Sequence, residues 1–194
     1  MSTLRQHTSV SAEEYLSAER EAEFKSEYLD GEVYAMTGAS LNHIQIVSNI
    51  TRVLSNQLLT RPCRVLSNEM KVRMPDSRKF FYPDLTVLCD KPRFHDERTD
   101  TILNPLLIVE VLSKSTEAFD RGAKFQAYQG LDSLREYVLV AQDKPAVEQY
   151  VRRPDGSWNY RAVVGLDSSL SLPSVECTLD LSSVYDKVEW DQAL

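Results

Sequence analysis

Tyr82-Pro83-Asp84 opens the apolar run Leu85-Thr86-Val87-Leu88-Cys89, and a second run, Leu106-Leu107-Ile108-Val109-Glu110-Val111-Leu112, carries one carboxylate in its middle. Runs of this length and composition read as buried strands. Successive side chains alternate along a strand, so Glu110 and Leu112 face one way and Val111 the other. A carboxylate inside a buried strand is costly unless it is paired or binds a cation. Ser113-Lys114-Ser115-Thr116 then supplies an N-cap, Glu117 to Gln129 reads as a helix, and Gly130 closes it. On that helix Asp120, Lys124 and Tyr128 share one face, and Ala123 and Ala127 are small enough to pack closely on a sheet. Two carboxylates on two strands, with a Lys arriving on the next helix, fit a divalent-metal site with a cationic partner. They also fit a buried structural ion pair of Glu110 with Lys124 or Arg121, with Asp84 capping a turn after Pro83.

Outward from this centre, Glu136-Tyr137-Val138-Leu139-Val140-Ala141 is a third apolar strand. Strand 106–112, helix 117–129 and strand 136–141 form a βαβ-like crossover. Val147 to Arg152 and Trp158 to Val163 flank the turn Pro154-Asp155-Gly156-Ser157 and read as a hairpin, and Leu179 to Tyr185 as a final short helix. Near the start, Ser11 and Glu14 make a capping box, and the acids that follow, Glu19, Glu21, Glu23 and Glu27, read as a solvated helix face. Asp30-Gly31 is a turn dipeptide, and Val33 and Ala35 alternate with Tyr34 and Met36, so a hairpin is expected there. After Ser40, the spacing of Ile44, Val47, Thr51, Leu54 and Leu58 predicts a long, largely buried helix that ends near Leu59, before Pro62. His43, in its first turn, is a candidate for phosphate or substrate binding, or simply a capping group. Residues 91–104, polar and containing Pro92, read as a surface excursion.

Residues 61–80 hold Arg61, Arg64, Lys71, Arg73, Arg78 and Lys79 against Glu69 and Asp76. Cys63 and Val65 alternate with Arg64, and Val72 and Met74 with Lys71 and Arg73, so both stretches read as two-faced strands. Their cations would either discourage aggregation at a sheet edge or track a phosphate backbone. The pattern as a whole is α/β (α+β-like), with a mixed central sheet flanked by helices.

The 194 residues suit a single domain. Within it, 1–60 would hold N-terminal helices and a hairpin, 61–142 the catalytic core, and 143–194 a C-terminal hairpin and tail. The net charge of −7 argues against a protein that coats nucleic acid, while leaving room for a local basic groove. Cys63, Cys89 and Cys177 fit no zinc spacing and no disulfide framework, which suggests a reducing compartment and a cytoplasmic location. The three scattered histidines argue against a zinc site. Met1 to Val10 shows no apolar core of a signal peptide, and no run approaches the roughly 20 residues that span a bilayer, so no membrane partner is expected.

Tyr82-Pro83-Asp84, Ile108 to Ser113, Ser115-Thr116, Asp120-Arg121-Gly122, Lys124-Phe125 and Tyr128 together resemble the Uma-type restriction endonuclease family of the PD-(D/E)xK nuclease superfamily. The likeness extends in order over Asp30 to Met36, Gly38-Ala39-Ser40 with His43, Cys63-Arg64-Val65, Ser67 with Glu69-Met70, and Leu134 to Tyr137. It implies a restriction-endonuclease-like fold and metal-dependent cleavage of DNA phosphodiesters. Asp84 and Glu110 would hold Mg²⁺ or Mn²⁺. Such nucleases place a Lys two residues after the Glu; here that position is Leu112, so Lys124 is expected to serve, with Lys71 as the other candidate. Glu27, Glu32 or Glu69 would complete the acidic shell, Tyr128 would support it, and Arg64, Lys71, Arg73, Arg78 and Lys79 would guide the DNA backbone. Cutting both strands would favour a homodimer. The competing expectation is an inactive nuclease-fold module that binds DNA or a protein partner as a dimer. A weaker one is hydrolysis of another phosphate ester.

Overall fold

The computed structural model describes residues 9–36, 38–76 and 78–190. The expectation about a leader at the N-terminus lies mostly outside them. A six-stranded mixed sheet is the centre, in the order β11-β10-β9-β8-β6-β3. Its members are β3 (Arg64–Ser67), β6 (Leu85–Leu88), β8 (Leu107–Leu112), β9 (Glu136–Ala141), β10 (Ala146–Arg152) and β11 (Trp158–Val164). Strand β8 runs antiparallel to β6 and parallel to β9. The expected crossover is therefore present, with helical segment 117–128 as its connection. The 146–164 hairpin is present as well.

Alternation along β8 divides the core. Leu107, Val109 and Val111 join an apolar cluster with Ile46, Ile50 and Leu54 of α2 (Leu41–Gln57). Ile108 and Leu112 join another with Phe125 and Tyr128 of segment 117–128. Glu110 lies on this second face. Only one stripe of α2 is buried, while Leu41 and Ile44 are exposed, so the helix is less enclosed than its apolar residues suggest. Its N-cap is Ser40, whose hydroxyl accepts from the His43 amide.

A second sheet of five short strands, in the order β2-β1-β5-β4-β7, covers the other side of segment 117–128. It comprises β1 (Ser26–Leu29), β2 (Glu32–Ala35), β4 (Lys71–Arg73), β5 (Lys79–Phe81) and β7 (Thr101–Ile102). The turn between β1 and β2 has both Asp30 and Gly31 at positive φ, as a tight hairpin requires. Tyr28 and Phe80 pack against Tyr15 and Leu16 of α1 (Ala12–Glu21), while Phe81 faces Tyr128 and Phe119. Helix α1 keeps the expected capping box but ends at Glu21, so Glu27 belongs to a strand and not to a solvated helix. Glu19 is buried and accepts from Ser26 and from the Tyr82 hydroxyl. The excursion 91–104 is not wholly superficial, because Thr101 and Ile102 are buried in β7. The tail forms β12 (Ser169–Leu172) and β13 (Cys177–Asp180), then a helical turn at Leu181–Val184, packed on α2.

The expectation about the cysteines is overturned. Cys63 and Cys89 form a disulfide, and Cys177 alone is free and buried. Nothing in a separation of 26 residues announces the bond. It arises because β3 and β6 pair antiparallel with Arg64 opposite Leu88, which brings the next residues of each strand together. The inference of a reducing compartment from unpaired cysteines therefore loses its basis. Among the described residues no helix is long and apolar enough to cross a membrane.

Candidate active site

Four parts of the chain bring the site together. Strand β8 presents Glu110 from the central sheet, and the residue just before β6 presents Asp84. Strand β1 presents Glu27 from the second sheet, and segment 117–128 between the sheets presents Asp120, Lys124 and Tyr128. Residues 120–124 of that segment form a π-helical turn, a local widening often found at functional sites.

Lys124 stands at the centre. Its Nζ is 3.0 Å from Glu27 Oε1, 3.0 Å from Glu110 Oε1 and 3.6 Å from Asp120 Oδ1. It also lies 5.6 Å from the centroid of the Phe81 ring. The Tyr128 hydroxyl donates to Glu110 Oε1 at 3.0 Å, and the Tyr82 amide donates to Glu27 Oε1 at 2.9 Å. Asp84 is held at both oxygens: Oδ2 accepts from the Val111 amide at 2.7 Å, and Oδ1 lies 2.9 Å from His43 Nε2. The Asp84 amide in turn donates to Glu110 Oε2 at 3.3 Å. These groups open into a cleft of about 730 Å³ whose walls include Tyr34, Met36, Ser113 and Phe119.

Three carboxylates, Glu27, Glu110 and Asp120, thus share one lysine, and Asp84 lies beside them with its amide on Glu110. Burial pushes the Glu110 carboxyl well above its ordinary value. Lys124 pulls against that, and Asp120, Asp84 and Glu27 add to it. Asp120 is raised by burial too, against the same lysine. For Lys124, burial alone would lower the ammonium. Glu110, Glu27 and Asp120 outweigh it and hold the group well above its usual range. Burial is the first cause for both acids, and the surplus of carboxylates over the single lysine adds to it. Carboxylate oxygens are the donors that hard divalent cations take, so Mg²⁺ or Mn²⁺ fits this donor set. Among the described residues no three His, Cys, Asp or Glu side chains already close around one metal position. Lys124 fills the space where the carboxylates converge.

Of the acids expected to complete the shell, Glu27 alone is brought to Lys124 beside Glu110. Glu32 is exposed on β2 and accepts from the Tyr34 hydroxyl, and Glu69 is exposed and pairs with Lys25 at 2.6 Å. Lys71, the rival lysine, is buried elsewhere and pairs with Asp100 at 3.2 Å. The cations of 61–80 are not gathered at the cleft. Arg78 and Lys79 bind Asp30, and Lys79 also binds Asp76. Arg64 is exposed on the edge strand β3, and Arg73 is half-buried on β4. Arg121 pairs with Glu117 and Glu148 instead of Glu110. Ala123 is exposed at the cleft, because the Asp120–Lys124–Tyr128 face is the one turned inward.

Two members were not assigned to the site from the sequence. Asp120 shares the Lys124 face by spacing, and that spacing was the available signal. By sequence His43 reads as a phosphate or substrate binder or as a cap. Its contact with Asp84 depends on how α2 lies across the sheet, for which no sequence signal exists.

The Uma2 family model, described as a putative restriction endonuclease, matches residues 12–182. Two curated relatives come from Synechocystis sp. (strain ATCC 27184 / PCC 6803 / Kazusa). The uncharacterized protein slr1290 is 36% identical over 179 residues, covering 91% of this chain and 91% of the relative. The uncharacterized protein sll1609 is 34% identical over 161 residues, covering 83% of this chain and 91% of the relative. Among solved structures, a putative nuclease belonging to DUF820 from Anabaena variabilis ATCC 29413 superposes with a TM-score of 0.76 at 16% identity. That match covers 93% of this chain and 99% of the other, and at this identity it speaks to the restriction-endonuclease-like fold.

Proposed function

Because this chain belongs to the Uma2 family, we propose that it is a metal-dependent endonuclease that hydrolyses DNA phosphodiester bonds. The observation that carries this reading is the convergence of Glu27, Asp84 and Glu110 with Lys124 at one cleft, drawn from two sheets and the helix between them. Asp84 and Glu110 would hold Mg²⁺ or Mn²⁺, with Glu27 beside them. A bound divalent ion would supply Lewis-acid activation of water and charge neutralisation at the phosphoryl group. Lys124 keeps its proton, held there by three carboxylates, so it acts as a fixed positive charge and not as a base. That charge faces the negative charge that builds on the phosphoryl oxygens in the transition state. Tyr128 stays a hydroxyl, because burial first and Glu110 second push its ionisation far up, and it orients Glu110 by donating to Oε1. His43 and the Val111 amide fix the Asp84 carboxylate from either side. The homodimer expected for cutting both strands belongs to the same reading.

The test is cleavage of supercoiled plasmid by purified protein in Mg²⁺, Mn²⁺ or EDTA, with Asp84→Ala alongside. Metal-dependent nicking or linearisation that the variant lacks is the expected result. Activity unchanged by the substitution would place the chemistry elsewhere. No cleavage of any DNA would shift the assignment to a binding module that keeps the nuclease fold.

A further inference from the structure

The wall of the cleft beside the carboxylates is aromatic and apolar, not basic. In the β1–β2 hairpin Glu27 stands directly opposite Tyr34. Residues opposed in an antiparallel pair project from the same face with Cβ atoms about 5 Å apart. The Tyr34 ring therefore rises next to the acid that contacts Lys124. Its hydroxyl is anchored to Glu32, and its ring lies 6.5 Å from the Phe119 ring with the planes 29° apart. Even so, Tyr34 remains 47% exposed on an edge strand, with ring surface open to the cleft. Leu29, Ala35 and Met36 continue this lining.

Within the cleft itself the cations point the same way, while Lys114, Arg121 and Lys144 line the adjoining groove beyond Ser113 and Gln142. The single Lys or Arg among the described residues that line the cleft is Lys124, and its charge is committed to three carboxylates. Lys71, Arg78 and Lys79 are paired with Asp100, Asp30 and Asp76 away from it. An intact duplex offers its phosphates outward and needs a track of cations to bind. An unpaired strand carries phosphates too, but it also offers base faces, which an aromatic ring binds without charge. A cleft of about 730 Å³ is also of the size that takes a small ligand or a single nucleotide.

We propose that Tyr34, backed by Phe119, is a base-stacking subsite, and that the substrate is unpaired DNA, one base of which enters the cleft beside the carboxylates. This deepens the nuclease reading and rests on it for the identity of the ligand as DNA. A single copy of the chain suffices for such a substrate, so the homodimer is not required by the chemistry.

The experiment is fluorescence anisotropy in EDTA at low salt, with a labelled mixed-sequence single-stranded oligonucleotide and the same sequence as a blunt hairpin duplex. Wild type, Tyr34→Ala and Tyr34→Phe are compared. The single strand is expected to bind at least about tenfold tighter than the duplex. Tyr34→Ala should weaken single-strand binding by about tenfold, the size of one lost stacking contact, and Tyr34→Phe should restore it. Equal or tighter binding of the duplex, no binding of the single strand, or a Tyr34→Ala change within twofold would each overturn the proposal. Cleavage of both DNAs in Mn²⁺ separates the two readings. Ring-dependent single-strand binding with no cleavage leaves the subsite standing and removes the nuclease. Duplex cleavage that Tyr34→Ala does not alter leaves the nuclease standing and removes the subsite.

Discussion

Lys124 brings one positive charge into a space shared by three carboxylates, with its side chain only 6% exposed. Removing one partner of a buried charge network leaves the others uncompensated, at a cost of about 3–5 kcal/mol. Lys124→Met is therefore expected to lose about that much in metal-free urea unfolding, far more than the loss of one exposed ion pair. A loss below about 1 kcal/mol would show that the carboxylates do not depend on this lysine. At this scale Asp84, Glu110 and Lys124 were legible from the sequence. A carboxylate amid Ile108, Val109, Val111 and Leu112 is anomalous wherever the strand goes, and Asp120, Lys124 and Tyr128 keep helical spacing. Glu27 was legible only as one of three acids, because its role depends on pairing between strands far apart in the chain.

Among the elements, α1 is held by a fork of hydrogen bonds. Arg20 Nε and Nη2 each reach Asp100 at 2.9 Å, and Nη2 reaches Asp96 at 2.7 Å. Lys71 of β4 meets the same Asp100, so one carboxylate joins the helix to the second sheet. Arg20 first, with Lys71 also contributing, holds the Asp100 carboxyl well below the usual value of 3.8, although partial burial opposes this. A carboxyl depressed in the fold binds its proton less readily there than in the unfolded chain. Its stabilising contribution is complete above about pH 4 and is lost as pH falls through the lower folded value. Asp100→Asn should therefore reduce stability at pH 7 and flatten the acid limb of a urea-unfolding pH series. An acid limb identical to that of wild type would remove this carboxylate from the acid response. The helices and strands β6, β8 and β9 were legible from their periodicity. Of the five-stranded sheet only the β1–β2 hairpin and the strand at Lys71–Arg73 were legible; the rest was not, because the strands have two to four residues and most of their partners are distant in sequence. The Cys63–Cys89 bond was hidden for the same reason, since strand register creates it.

For the whole molecule, an excess of buried carboxylate predicts that a divalent cation stabilises the native state. A ligand that binds only the folded form at 100 times its Kd adds about 2.7 kcal/mol. Thermal melts in saturating Mn²⁺ or Mg²⁺ should then rise by several degrees over EDTA, and Asp84→Ala should abolish the rise. An equal rise in the variant would put the cation elsewhere on the protein. This outcome also tells a metal-using enzyme from an inert module of the same fold, a distinction that a net charge of −7 and Leu112 in place of a Lys left open.

The spread of the site along the chain bears on how a cell lives with such a protein. Glu27 leaves the ribosome before Asp84 and Glu110, and Lys124 comes later still. Until the segment through Tyr128 has emerged and lodged between the two sheets, a growing chain carries the acids but not the group that gathers them. A chain stalled before residue 117 lacks the helix, and a proteolytic remnant without the first hairpin lacks both Glu27 and Tyr34. The full constellation needs the chain from Glu27 through Tyr128, so a nascent chain or breakdown fragment that lacks either end of that span does not carry it.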